Sequence, residues 1–211
     1  MPLPPSSRSF VVVKSTGFYP ELNVLIIALQ GVAVTAELTL RGRVSFQLGD
    51  YLTVEALHLK HGVRLPVHGP VEAALQNRQP DSIHITVDPV MSAASPGFQT
   101  AGFVAFVNAI FLPFLVSFHE RNRAALVAKY STDRTSWPEP WQMSWAIRNA
   151  ASHGGTVFEK QTQRPVSWRG LTFGPKDEPT KKLLSQVNGG DILLLMRDME
   201  EALTGVLLRD A

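Results

Sequence analysis

Apolar residues in this chain recur with two periods. Leu22, Leu25, Ile26, Leu29, Val32, Ala33, Ala36 and Leu40 fall three and four residues apart, the spacing that lines one side of an α-helix. The pattern predicts a first long helix from Pro20 to Leu40, stopped before Gly42. It predicts a second from Gly102 through the apolar run to Phe118 and on to Tyr130, kinked near Pro113. A third is expected from the Ser136–Glu139 opening to about Ser152, with Pro138 in its first turn and Gly154-Gly155 as its stop. In the last helix Asp191 caps a stripe of Ile192, Leu195, Met196, Met199, Leu203, Val206 and Leu207. Asp50 as a cap and Gly62 as a stop predict one more helix over Tyr51 to His61, with Leu52, Ala56 and Leu59 on a shared face.

Short β-branched runs are fewer. Phe10-Val11-Val12-Val13 and Ile83-His84-Ile85-Thr86-Val87 read as strands, the first with no partner in view. Residues 1–18 are expected to form an arm or short strand, 63–97 an irregular connector rich in Pro, Asn, Asp, Ser and Gly, and 156–190 an insertion before the last helix. Within that insertion Arg164 to Phe173 reads as a short hairpin or extended arm. The expected fold is therefore a single, mainly α domain. It is a helical bundle with a short β/hairpin insertion between the third and last helices and an extended N-terminal region.

Composition narrows the class. With 211 residues, 45% hydrophobic and 18% charged, one core is affordable and global disorder is excluded. The absence of cysteine removes disulfide scaffolds, thiolate metal sites and cysteine nucleophiles, and fits a reducing cytoplasm. The first eight residues lack a basic segment followed by an apolar one, so no signal peptide is expected. Gly102 to Phe118 is short for a membrane span and lacks interfacial anchors on both sides, so no membrane is expected. The net charge of +2 is small but unevenly placed. Between His119 and Lys182 eleven Lys/Arg face six Asp/Glu, a local +5 that suits a polyanion and equally describes a solvated face.

The chemistry concentrates in Arg148-Asn149-Ala150-Ala151-Ser152-His153. His153 at the end of a helix meets exposed carbonyls, which favour a protonated imidazole. Asn149, one turn earlier, can orient the ring or a phosphate. Arg148 is about 140° from His153 around an ideal helix, so the two meet only if the helix end loosens or a second copy contributes. A guanidinium forks onto phosphate oxygens. An imidazole can take the proton of a ribose 2′-hydroxyl or give one to the leaving 5′-oxygen. Together they make a minimal metal-independent ribonuclease site, with Arg148 stabilising the charge-rich transition state. Arg78 and His84 are similarly spaced, but Pro80 and the strand around His84 take that pair out of a helical setting.

An arginine followed by a polar residue and, after a short gap, a histidine, on a helix of an expected bundle, resembles the HEPN superfamily (higher eukaryotes and prokaryotes nucleotide-binding). The motif covers Trp141 to Gly155 and maps to Arg148, Asn149 and His153. The resemblance implies a homodimer with both motifs lining one cleft, RNA as substrate, endoribonuclease activity without metal or other cofactor, and a partner such as an antitoxin or regulatory protein. It equally admits an inactive helical interaction module, in which Arg148 bonds neighbouring acceptors and His153 caps the helix. The 156–190 insertion departs from the family pattern.

Other groups are secondary. Arg164 and Arg169 are candidate phosphate binders and Trp168 a candidate base-stacking ring, against the alternative of a lid packed by Trp168 and Phe173. Trp141 and Trp145, four residues apart, read as a packing face. His58 and His61 would share a helix face but lack further ligands for a metal. His119-Glu120 reads as a solvated helix end, or as a support for His153 if its helix packs beside the one carrying Arg148. No phosphate-cradling glycine loop, dinucleotide fingerprint or hydrolase elbow is present, so no cofactor is expected.

Overall fold

A computed structural model describes residues 8–41, 51–66, 70, 73, 76, 78–89, 101–152, 164–174 and 183–208. In chain order the elements are β1 (Arg8–Val13), α1 (Tyr19–Arg41), β2 (Tyr51–Ala56), β3 (His61–Pro66), β4 (Ser82–Pro89), α2 (Ala101–Tyr130), α3 (Glu139–Ser152), β5 (Val166–Trp168), β6 (Leu171–Phe173) and α4 (Gly189–Thr204). The strands β1 to β4 form one antiparallel sheet in the order β1-β4-β3-β2, and β5 and β6 form a separate hairpin. The chain is thus mixed α/β, and the expectation of a mainly α, HEPN-like helical bundle is overturned by this sheet.

The sheet has one buried face. Phe10 lies opposite Ile85, Val12 opposite Ile83, Val63 opposite Val87 and Val54 opposite Val63, and all of these side chains are buried. Their sequence neighbours, Gly62 apart, are exposed or half-buried, as expected of an antiparallel sheet covered on one side. Phe10–Val13 therefore does find a partner, and two stretches of the expected connector, 63–66 and 82–89, are built into β3 and β4. The predicted helix over Tyr51 to His61 is instead a hairpin. Val54 and Ala56 point inward, Thr53 and Glu55 outward, and a turn at 57–60 leads into β3. His58 and His61 consequently share no helix face. His58 Nε2 lies 3.0 Å from the Arg169 carbonyl.

The buried sheet face is covered by α4, whose residues from Gly189 to Met196 are all buried. A helix apolar around its whole circumference belongs inside a core rather than on its rim. Its start is tightly wedged. A Cβ on Gly189 would stand 2.6 Å from the Phe111 ring of α2, and one on Gly190 would stand 2.5 Å from the Glu55 carbonyl of β2. The glycine pair, expected to be a loop, is the first turn of the helix. Asn188 is the cap and Asp191 the third helical residue. The Asp191 carboxylate accepts from the Asn188, His58 and Leu59 amides, holding the β2–β3 turn to the helix start. Desolvation raises the Asp191 pKa, opposed by those three amides. The helix ends at Thr204, with Gly205 at φ 74°, so Val206 and Leu207 leave the expected stripe and are exposed.

The remaining helices form the layer that carries the site. α2 packs on α4, α3 and α1, and α3 packs on α4 and β5. Trp141 of α3 is buried, with its indole N–H donating to the Met199 carbonyl at 2.9 Å. Arg121 of α2 holds the buried Glu21 of α1 at 2.5 and 2.9 Å. No helix among the described residues is long and apolar enough to cross a membrane.

Candidate functional site

Where α2 and α3 diverge they leave a cleft of about 280 Å³. α2 contributes His119, Glu120, Arg123 and Val127, positions that successive turns stack along one side of the helix. α3 contributes Trp145 and Arg148. The connector between them adds Thr132, Arg134 and Trp137. This connector is locally braced. Ser131 leaves α2 at φ 80°, and Asp133 accepts from the Thr135 amide and hydroxyl, both at 2.9 Å. Those bonds lower the Asp133 pKa, with smaller contributions from Arg164 and Arg134. The Trp137 indole N–H donates to the Ser131 carbonyl at 3.0 Å. The connector therefore presents Arg134 from a fixed turn.

Three guanidinium groups thus share one opening with a single carboxylate. Arg148 Nε lies 2.7 Å from Glu120 Oε1, and each side chain is about one-third exposed. Arg134 lies over the Trp145 ring, 3.6 Å from its centroid, a cation–π contact that makes a flat, charged platform. Arg123 is exposed on the α2 side. Surface pairs such as Arg148–Glu120 contribute little to stability, about 0–1 kcal/mol, so this pair can be exchanged for another anion at low cost.

The cleft floor is different. His119, expected at a solvated helix end, is 1% exposed. Its ring packs 5.4 Å from Trp141 and 6.1 Å from Trp137, and Nδ1 lies 2.9 Å from Ser144 Oγ. Burial lowers its pKa to about 4; Glu120 opposes the shift, and Arg148 and Arg123 add to it. At neutral pH the ring is uncharged and closed to solvent, a packing group beneath the cleft rather than an exchangeable acid.

The residues singled out from the sequence are only partly brought together. Arg148 lines the cleft, and its Nη1 donates to Asn149 Oδ1 at 3.3 Å. His153, one residue past the end of α3, lies outside the described residues. Arg164 is exposed and reaches the cleft connector only through its charge on Asp133. Trp168 and Arg169 do not line the cleft. Trp168 is buried and its indole N–H donates to Asp198 Oδ2 at 2.8 Å, while Arg169 grips the same carboxylate at 2.6 and 2.8 Å. Sequence reasoning passed over Arg123 and Arg134, placed Glu120 at a solvated helix end, and read Trp145 chiefly as packing. For the two arginines the sequence signal was the excess of basic residues after His119.

Chemically the cleft can bind an oxyanion through arginine forks and a flat ring system on the Arg134–Trp145 platform. No protein-family model matches the chain, and neither a curated protein nor a solved structure matches it.

Proposed function

We propose that the protein binds single-stranded RNA in the cleft between α2 and α3. The observation that carries this reading is the convergence of Arg123, Arg134 and Arg148 around one opening that also holds the Trp145 ring. Arginine supplies a permanent charge and a planar fork for phosphate oxygens, and an arginine–tryptophan platform suits an unpaired base. A helical duplex hides its base faces, whereas a single strand offers them.

The test is fluorescence anisotropy with a labelled single-stranded RNA in chelator across a salt series. Wild-type affinity should fall with salt, and Arg123→Ala/Arg148→Ala should weaken binding by roughly tenfold or more and flatten the log–log salt slope by about two. Unchanged affinity and slope in the double variant would remove the cleft as the binding site.

Cleavage is the sharper form of this reading, favoured by one feature: Arg148 faces the cleft on the last turn of α3, bonded to Asn149, and the chain runs directly from there to His153. In this form Arg148 holds the scissile phosphate, Asn149 orients, and His153 exchanges the proton as the 2′-hydroxyl oxygen attacks phosphorus and the P–O5′ bond breaks. Wild-type protein in chelator should leave 2′,3′-cyclic phosphate ends, and His153→Ala should leave none. Equal product from both proteins discards His153; intact RNA with wild type leaves binding alone.

A further inference from the structure

We infer that Glu120 is the specificity-determining residue by which the cleft distinguishes ribose from deoxyribose. This rests on the proposal that the cleft binds a single strand. A carboxylate is out of place in a site for an anion, since it repels the ligand and occupies the arginine meant to hold it. Among the described residues Glu120 is nonetheless the only carboxylate lining the cleft, and it sits directly on Arg148.

The bonding of the pair shows what it leaves open. Glu120 engages Arg148 through Oε1 on Nε, and Asn149 accepts from Nη1. The outer edge of the guanidinium still has N–H groups for a phosphate oxygen. Glu120 lines the cleft beside Arg148, and a carboxylate that accepts from one N–H keeps lone pairs for a further donor. In RNA the 2′-hydroxyl is on the sugar carbon adjacent to the one bearing the 3′-phosphate. A phosphate on the outer edge of Arg148 therefore brings a hydroxyl donor next to the Glu120 carboxylate. The hydrogen bond to a charged acceptor offsets the repulsion. A deoxyribose strand meets the same repulsion with nothing to offset it, which is discrimination by a penalty on the wrong ligand. The 2′-hydroxyl is the group by which proteins in general tell RNA from DNA.

The experiment compares three labelled single strands of one sequence, made as RNA, DNA and 2′-O-methyl RNA, by anisotropy in chelator with wild type, Glu120→Ala and Glu120→Gln. Wild type should prefer RNA over both other strands by about tenfold, the worth of one charge-assisted hydrogen bond. Glu120→Ala should bring the three affinities within about twofold, chiefly by strengthening DNA and 2′-O-methyl RNA. Glu120→Gln, which keeps an acceptor without the charge, should retain part of the preference. No RNA preference in wild type, or one that survives Glu120→Ala intact, overturns the assignment. Such a result leaves the binding proposal standing if Arg123→Ala/Arg148→Ala still loses affinity. If the arginine variant binds all three strands like wild type, it is the cleft itself that has been misplaced.

Discussion

Two arginine–tryptophan pairs in this protein put the same residue types to opposite uses. In the β5–β6 hairpin, Trp168 and Arg169 both terminate on Asp198, so the indole N–H and the guanidinium fork have a buried-side partner. In the cleft, Arg134 lies on the face of Trp145, and the carboxylate nearby belongs to an exchangeable pair with Arg148. The hairpin arginine even accepts a left-handed backbone, φ 45° followed by Gly170 at φ 83°, the two-residue turn that suits a twisted hairpin. A non-glycine residue there is strained, and the grip on Asp198 compensates. Placement of the tryptophan separates a structural clasp from a cleft lining here, Trp168 being buried on Asp198 and Trp145 facing the cleft; residue composition does not.

The largest expected effect is on the clasp. Trp168 is 2% exposed and lies in β5, which packs on α3, so Trp168→Ala should cost about 3–5 kcal/mol in urea unfolding. RNA affinity, measured where the variant is still folded, should be unchanged. A large affinity loss with little destabilisation would return Trp168 to the binding surface and erase the contrast.

Next in size is the pH response of the cleft floor. His119 has its pKa lowered by burial from 6.5 to about 4, so between those values the unfolded chain binds more protons than the folded one. Its contribution is fully present above pH 6.5 and is lost as pH falls toward 4, a cost of about 3 kcal/mol. Asp191 and Glu200 are shifted up by desolvation and act in the opposite sense, since each loses stability as pH rises from its unfolded value through its raised folded one. The informative quantity is therefore the difference between wild type and His119→Leu in urea midpoints from pH 7 to 4. A wild-type curve that parallels the variant would mean that the floor is wet and belongs to the binding surface above it.

The same contrast explains what could be read from the chain alone. The four helices announce themselves because residues such as Leu22, Leu25, Ile26 and Leu29, or Ile192, Leu195, Met196 and Met199, satisfy only the helical period. Tyr51 to His61 does not. Leu52 and Ala56 are four apart, which serves a helix turn and two pleats of a strand equally well, and Asp50 and Gly62 supplied plausible helix ends. The deciding facts are the long-range partners, Val54 against Val63 and Phe10 against Ile85, which no local pattern encodes. Of the cleft lining, Arg148 was singled out through spacing on one helix. Arg123, Arg134 and Glu120 were not, because they meet Arg148 only when α2 packs on α3. Trp168 stayed open between a stacking ring and a packed lid because a tryptophan near arginines looks the same in sequence whether its N–H faces solvent or Asp198.

The smallest expected effect tests whether the Arg134–Trp145 platform is an open surface or a second clasp. Trp145 is half-buried, and a cation–π contact at such a site is worth about 0.5–1 kcal/mol. Arg134→Ala should therefore lower the urea midpoint only by that amount, far less than Trp168→Ala, while weakening RNA binding several-fold. Arg134→Lys separates charge from planarity: it keeps the former and loses the stacking plane, so it should restore the salt dependence without restoring the full affinity. A loss of stability comparable to that of Trp168→Ala, with RNA affinity intact, would make the platform a structural brace and leave phosphate binding to Arg123 and Arg148 alone.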